Sequence, residues 1–178
     1  MITKREIKEL VNRFCKENGI EVKLSFSMQR GYENAFGSFD VCQNILFINF
    51  DKIKTNDCCV FYIYHELRHA LQYLKPEIFD RKLVKSLCYV VLYDGTCFKL
   101  AGDKWLACKL KGQDFLNIYL SFPYEIDANK YAYQATKLTI KQNQMQELEK
   151  IYQRSVPTKK VSDTLLSKIY HQIDKLAK

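Results

Sequence analysis

The chain has 178 residues, of which 47% are hydrophobic and 13% aromatic, and its formal net charge is +8. This length suits one domain, or one domain with a helical extension, and the apolar content is enough for a sizeable core. The longest uncharged apolar stretch, residues 86–93, is too short to span a bilayer, so we expect no membrane-spanning segment.

The N-terminus and the cysteines indicate the compartment. The first six residues lack the apolar run of a signal peptide. The seven cysteines are an odd number and contain no C-x-x-C pair, which favours free thiols in a reducing environment over disulfides or a zinc ribbon. We therefore expect a cytoplasmic protein in which most cysteines are small buried hydrophobic residues.

The first predicted element is an amphipathic helix over residues 3–18. Thr3 and Glu6 form a capping-box pattern at its start, and Gly19 is a suitable C-terminal stop. Apolar and polar residues then alternate over residues 20–28, which predicts a strand.

Two further strands are predicted at residues 39–41 and 45–50. Gln43-Asn44 lies between them and is typical of a tight turn. The H-E-x-x-H sequence of His65 to His69 follows these elements on a predicted helix. A helix, a strand, a hairpin and then an H-E-x-x-H helix is the order expected of a small zincin half-domain. In such folds an edge strand beside the cleft can pair with an extended substrate.

The most informative stretch is His65-Glu66-Leu67-Arg68-His69, an H-E-x-x-H motif. On a helix, positions i and i+4 share a face, so two neutral imidazoles at this spacing can bind one zinc ion. Glu66 would then act as the general base toward a water on that ion. The alternative is a pair of core histidines, but burying Glu66 without a partner would be costly.

The surrounding residues indicate that this motif lies on a central helix. Residues 55–57 offer N-cap side chains, and Lys75-Pro76 ends the helix. Residues 58–64 are apolar on nearly every face, as expected of a helix buried within its domain.

The C-terminal half is predicted to be mostly helical. Residues 77–121 have apolar residues at helical spacing, interrupted by glycines, and are expected to form a helical insertion. Residues 137–178 carry nine basic and four acidic residues and two apolar stripes separated by Val156-Pro157, so we expect a basic helical extension. The predicted domains are therefore a zincin-like domain over residues 1–136 and this extension.

A catalytic zinc ion normally has three protein ligands. The metzincin continuation requires a glycine and a histidine where this chain has Gln72 and Lys75. His171 is the remaining histidine, but it lies in the polar C-terminal segment. A cysteine ligand has no supporting pattern, although nothing in the sequence excludes one.

Glu125 is the best candidate for the third ligand. Ser121 and Pro123 mark the start of a helix that carries Glu125 in its first turn. Asn129 follows at i+4 on the same face and would orient an imidazole. The alternative is that Glu125 merely complements the helix dipole.

The two motif regions resemble the ImmA/IrrE group of metallopeptidases. Those proteins pair H-E-L-x-H with a downstream E-x-x-A-[ND]-x-[FY]-A helix, and here the second pattern is matched by Glu125, Ala128, Asn129, Tyr131 and Ala132. The resemblance implies that His65, His69 and Glu125 are zinc ligands and that Glu66 is the catalytic base. It also implies an intracellular protein substrate, such as a repressor. The chain differs from the pattern in its 56-residue interval (125 − 69) and in Arg68, which replaces a small residue.

The resulting expectation is an α+β, zincin-like fold with a small antiparallel or mixed sheet packed on the H-E-x-x-H helix. Its expected activity is zinc-dependent peptide-bond hydrolysis of the gluzincin type. The candidate donors for the oxyanion are Tyr124, Tyr131, Tyr133, Arg68 and His171.

Two other functions are compatible with the sequence. One is a non-catalytic, zinc-containing module that binds nucleic acid or an acidic protein through the basic C-terminal segment. The other is a DNA-associated protease of the SprT-like kind, in which a third histidine would replace Glu125 as a ligand.

Overall fold

The computed structural model of the protein describes residues 1–177. Within this range the chain forms eight α-helices and six β-strands, and the strands make two separate three-stranded sheets. The helices are α1 (Lys4–Asn18), α2 (Phe50–Ile53), α3 (Cys59–Leu74), α4 (Arg81–Ser86), α5 (Phe115–Leu120), α6 (Pro123–Lys137), α7 (Met145–Arg154) and α8 (Asp163–Leu176). The strands are β1 (Lys23–Ser25), β2 (Gly37–Asp40), β3 (Ile45–Ile48), β4 (Tyr89–Val91), β5 (Thr96–Ala101) and β6 (Lys104–Lys109). The predicted α+β class is confirmed.

The chain groups into two compact units. The first contains residues 1–76 and 127–153, and the second contains residues 77–126 and those from 154 onward. The predicted C-terminal extension is thus shared between the two units. None of the helices described in residues 1–177 is both long and apolar enough to cross a bilayer.

Helix α1 of the first unit has the caps that its sequence predicted. The backbone N–H of Glu6 donates to Oγ1 of Thr3 at 3.2 Å, and the N–H of Thr3 donates to the Glu6 carboxylate at 2.7 Å. Gly19 closes the helix in the left-handed region, with a φ of 61°. The apolar stripe between these caps is buried and includes Ile7 and Phe14.

The sheet of the first unit is mixed, with strand order β1-β3-β2. Strands β2 and β3 are antiparallel, and Phe39 pairs with Leu46. In the connection between them, Oδ1 of Asp40 accepts the N–H groups of Cys42 and Gln43. Strand β1 lies parallel to β3 and is shorter than the predicted strand over residues 20–28, because only three of its residues find partners on the four-residue β3.

Helix α3 lies at the centre of the first unit, where it contacts α1, β2 and β3. Leu46, Phe47 and Ile48 of β3 are all buried. Ile63 and Leu67 of α3 are fully buried as well. The helix is thus covered by packed elements along most of its length, as its apolar composition predicted.

The second unit corrects the prediction that residues 77–121 are helical. Its helices α4 and α5 are only six residues long, and residues 89–109 form the antiparallel meander β4-β5-β6. All six residues of β5 pair with β6, and the chain reverses between these strands at Gly102-Asp103. The prediction was wrong because short apolar runs fit the periodicity of a helix and that of a strand equally well.

The meander packs on helices of its own unit. Helix α8 contacts β5 and β6, and α5 contacts β4. Tyr89 of β4 stacks on Tyr170 of α8, with ring centroids 4.4 Å apart. Asp174 of α8 accepts from Nζ of Lys99 at 2.7 Å and from the Tyr89 hydroxyl at 3.1 Å, so polar contacts fix the same interface.

None of the seven cysteines, which all lie within residues 1–177, forms a disulfide bond. Cys15, Cys58, Cys59 and Cys97 are buried, and burial raises the pKa of each of these thiols. The effect is largest for Cys97, whose pKa is about 12. A buried thiol with a raised pKa is a weak nucleophile, which supports the prediction that these cysteines act as small hydrophobic residues.

Candidate metal centre

Helix α3 brings the two histidines of the motif together. The Nε2 atoms of His65 and His69 lie 3.0 Å apart, and the ring centroids are separated by 4.5 Å. Tetrahedral coordination at ~2.0–2.1 Å places two imidazole nitrogens ~3.3 Å apart. Both rings therefore direct the nitrogen that a metal ion requires toward one point.

Helix α6 supplies the third group. It begins at Pro123, and Glu125 lies in its first turn with only 4% of its surface exposed. The ligand atoms of His65, His69 and Glu125 all lie within 4.8 Å of one another. Two imidazoles and one carboxylate form a donor set suited to a divalent metal ion. The three residues that were predicted from the sequence to be ligands thus lie in one group.

The second ring nitrogen of His69, Nδ1, also has a hydrogen-bond partner. Its Nδ1 lies 2.9 Å from Oε1 of Gln72, and Nε2 of Gln72 donates to Oδ2 of Asp127 at 2.8 Å. Gln72 is fully buried. Metal-binding histidines usually donate their second ring N–H to such a partner, so this contact fits a ligand role for His69.

Asp127 is held in turn by a bidentate ion pair. Nε of Arg68 donates to Oδ2 of Asp127 at 2.7 Å, and Nη2 donates to Oδ1 at 3.0 Å. The Arg68 guanidinium lies over the ring of Tyr131, 4.7 Å from its centroid. The roles of Gln72 and Asp127 were not predicted from the sequence. The one indication was that Gln72 lies one helical turn after His69. Its partner Asp127 is 55 residues further along the chain.

Asn129 lies one turn after Glu125 on α6 and is almost completely buried. Its position on the same helix face as Glu125 follows from the i,i+4 spacing. The hypothesis that it orients an imidazole stays a prediction.

Glu66, the candidate base, lies against the edge strand of the first sheet. It is 9% exposed, and a Cβ atom added to Gly37 of β2 would lie 2.7 Å from its Cγ. Only a glycine permits the backbone of β2 to approach the Glu66 side chain so closely. The Glu66 side chain is thus packed against the backbone of β2.

Three of the candidate oxyanion donors have other partners. Arg68 is paired with Asp127, and Tyr131 lies beneath its guanidinium. The hydroxyl of Tyr133 donates to the carboxylate of Glu149. Burial, with a smaller effect of Tyr64, raises the pKa of Tyr131. These contacts favour structural roles for all three residues.

The other two candidate donors differ in exposure. Tyr124 is 4% exposed and directly precedes Glu125 on α6. His171 lies on α8 and is exposed. Among residues 1–177, His171 does not join the group of potential ligands that contains Glu125.

Comparison with known proteins gives no match: no protein-family model fits the chain, and no characterised protein or solved structure is significantly similar to it. The chemistry of this centre is therefore inferred from its own residues.

Proposed function

We propose that this protein is a zinc-dependent metallopeptidase of the gluzincin type. The observation that carries the proposal is the convergence of His65, His69 and Glu125 within 4.8 Å of one another. The two histidines come from an H-E-x-x-H helix, and the glutamate comes from a second helix. Two imidazoles with one carboxylate are the protein ligands of catalytic zinc in the thermolysin type of site, which leaves a position for water or substrate.

Held by His65, His69 and Glu125, a zinc ion would supply the Lewis acidity that activates water and polarises a scissile carbonyl. Glu66 is adjacent to His65 on α3 and takes the proton from the attacking water. It then passes this proton to the leaving amine. Its side chain is largely buried beside Gly37, and this confinement keeps its carboxylate in place and reduces its contact with bulk water.

The substrate is proposed to be a protein or peptide. Strand β2 is an edge of its sheet and passes directly beside Glu66. An exposed strand edge offers backbone N–H and C=O groups that pair with an extended peptide. A peptide added to this edge would run close to the general base.

The resemblance to the ImmA/IrrE group supports the same proposal. The first unit contains a helix, a small mixed sheet and the H-E-x-x-H helix, in the order expected of a zincin-like domain. By this resemblance the substrate is an intracellular regulatory protein, such as a repressor. A SprT-like protease is less compatible, because the ligand group contains Glu125 instead of a third histidine.

The proposal is tested by comparing wild-type protein with Glu66→Gln. Both proteins are loaded with zinc and assayed on a library of quenched-fluorescence peptides. The variant is expected to retain zinc and to lose at least about 100-fold in hydrolysis, since general base catalysis contributes roughly 100- to 10,000-fold.

Glu17→Gln is the matched control, because Glu17 is an exposed helical glutamate on α1. It is expected to behave as wild type. Full activity of a zinc-loaded Glu66→Gln protein would refute the mechanism, and a zinc-loaded wild type that cleaves no peptide or protein would refute the peptidase assignment.

A further inference from the structure

Arg68, Asp127, Gln72 and His69 form a continuous hydrogen-bonded chain that ends at the candidate metal centre. The distances between the bonded atoms of its links are 2.7–3.0 Å, which is typical of good hydrogen bonds. Gln72 is fully buried, and the side chains of Arg68 and Asp127 are only 19% and 28% exposed. This chain of contacts is therefore largely shielded from water, where its electrostatic interactions are strong.

The chemistry of the four groups determines the direction of each hydrogen bond. A guanidinium only donates and a carboxylate only accepts, so Asp127 must receive its hydrogen bonds from both Arg68 and Gln72. The amide of Gln72 must then turn its NH₂ group toward Asp127. Its carbonyl oxygen consequently faces His69.

The orientation of Gln72 fixes the tautomer of His69. An amide oxygen only accepts, so the Nδ1 atom of His69 must carry a proton to make the 2.9 Å contact. In a neutral imidazole with Nδ1 protonated, Nε2 has a free lone pair. Nε2 is the atom that points at the Nε2 of His65, 3.0 Å away.

We propose that Arg68, Asp127 and Gln72 are positioning residues that hold His69 in its Nδ1–H tautomer and thereby prepare its Nε2 as a metal ligand. The inference rests on the proposed function, because it assumes that a metal ion binds at this centre. It assigns a role to Arg68, which differs from the small residue of the ImmA/IrrE pattern, and to two residues outside that pattern.

A second consequence concerns the helix that carries Glu125. Asp127 lies two residues after Glu125 on α6, and both of its partners, Arg68 and Gln72, lie on α3. The guanidinium is also packed on Tyr131 of α6. These contacts tie the start of α6 to α3, so the same residues that orient His69 hold Glu125 near it.

A simple ion pair between two helices would not need Gln72. A buried amide is costly unless its hydrogen bonds are satisfied, and here it is satisfied by linking the ion pair to a ligand imidazole. This arrangement indicates a role in positioning beyond helix packing alone.

The tautomer can be measured without any metal or activity. In the metal-free, ¹⁵N-labelled full chain, two-bond ¹H–¹⁵N correlation spectra report which ring nitrogen of His69 is protonated. The wild type is expected to show the Nδ1–H form. A His69 that is protonated at Nε2 in the wild type would overturn the inference, whatever the variants do.

The effect on metal binding is measured by zinc competition with a chromogenic chelator and by the absorption spectrum of the Co²⁺ form. Gln72→Met removes the acceptor at similar volume, and Asp127→Ala removes the carboxylate. Each is expected to weaken zinc binding by roughly 10- to 100-fold and to change the Co²⁺ spectrum. Arg68→Lys keeps a donor toward Asp127 but loses the bidentate geometry, so a smaller loss is expected.

Two controls separate positioning from general loss of stability. Asp174→Asn weakens a partly buried ion pair with Lys99, and Gln144→Met removes a glutamine that donates to the backbone oxygen of Asp57. Both are expected to bind zinc as the wild type does. If Gln72→Met or Asp127→Ala does not fold, as judged by circular dichroism, Arg68→Lys and Asp127→Asn replace them.

The outcomes distinguish this inference from the proposed function. Folded variants of Gln72 and Asp127 with wild-type zinc affinity would overturn the positioning role and leave the zinc site intact. A wild type that binds no zinc would refute both. A wild type that binds zinc but cleaves no peptide would refute only the peptidase proposal.

Discussion

Gly37 and Glu66 are in such close contact that the side chain of the candidate base leaves no room for a Cβ atom on the strand beside it. That atom would lie 2.7 Å from Cγ of Glu66 and 2.9 Å from the backbone oxygen of Phe47. The backbone oxygen cannot move without disturbing the pairing of β3 with its neighbours. A larger residue at position 37 would therefore displace the Glu66 side chain.

Gly37→Ala is expected to destabilise the protein by about 1–3 kcal/mol, the usual effect of overpacking. A displacement of Glu66 by about 1 Å would lower peptide hydrolysis by about 100-fold. Zinc content should be unchanged, since Glu66 is not a ligand. The measurements are urea unfolding, zinc content and hydrolysis of the peptide library.

Gly31→Ala is the control for this change. Its φ of 89° makes alanine strained there by about 1–2 kcal/mol, but an added Cβ meets no atom within 4 Å. The control should lose stability and keep its activity per folded molecule. Equal activity in the Gly37→Ala and Gly31→Ala proteins would contradict the proposed importance of this contact.

Helix α7 contributes to the core of the first unit. Leu148 is completely buried in a cluster with Cys58, Phe61 and Ala132. Leu148→Ala should lower the free energy of unfolding by about 2–5 kcal/mol. Leu138→Ala is the control, because Leu138 is 88% exposed and should change that free energy by less than about 0.5 kcal/mol. Similar urea midpoints for the two variants would show that α7 does not pack as described.

The second unit should lose stability at alkaline pH. Burial, together with the hydrogen bond to Asp174, raises the pKa of Tyr89 from 10.0 to about 12, and burial also raises the pKa of Tyr170. Because the Tyr89 phenol is held protonated in the folded state, its contribution to stability is complete below pH 10 and is lost as the pH rises through about 12. Tyr170 contributes in the same direction.

Tyr89→Phe keeps the aromatic ring that stacks on Tyr170 but removes the ionising hydroxyl. Its melting temperature should therefore fall less than that of the wild type between pH 9 and about pH 12. Tyr93→Phe, at a tyrosine that is 70% exposed, should follow the wild type. Identical pH profiles for all three proteins would contradict a role for Tyr89 ionisation.

The elements that carry the candidate site were predictable because their signals are local. Helix α1 is bounded by Thr3 and Gly19, and α6 begins at Pro123. The spacing of His65 and His69 already requires that they share a face of α3. Glu125 could be nominated because a metal site of this type needs a third ligand, and the position of Glu125 in the first turn of a second helix fitted that need.

The meander of the second unit was missed for a physical reason. Runs such as Tyr89–Val91 are too short to distinguish a strand from a buried helix by periodicity. The better signal was Gly102-Asp103 between two short runs rich in apolar residues, since a glycine followed by an aspartate is typical of a two-residue hairpin turn. Gln72 and Asp127 were missed because their contact depends on how two helices pack, which no spacing in the sequence encodes.

The most direct test of the account is the zinc content of the purified full chain, measured by mass spectrometry after equilibration with zinc and removal of excess. The account predicts about one zinc ion per wild-type chain, its loss in Glu125→Ala, and its retention in His171→Ala. A wild type without zinc, or a Glu125→Ala protein that keeps its full zinc content while His171→Ala loses it, would contradict the account.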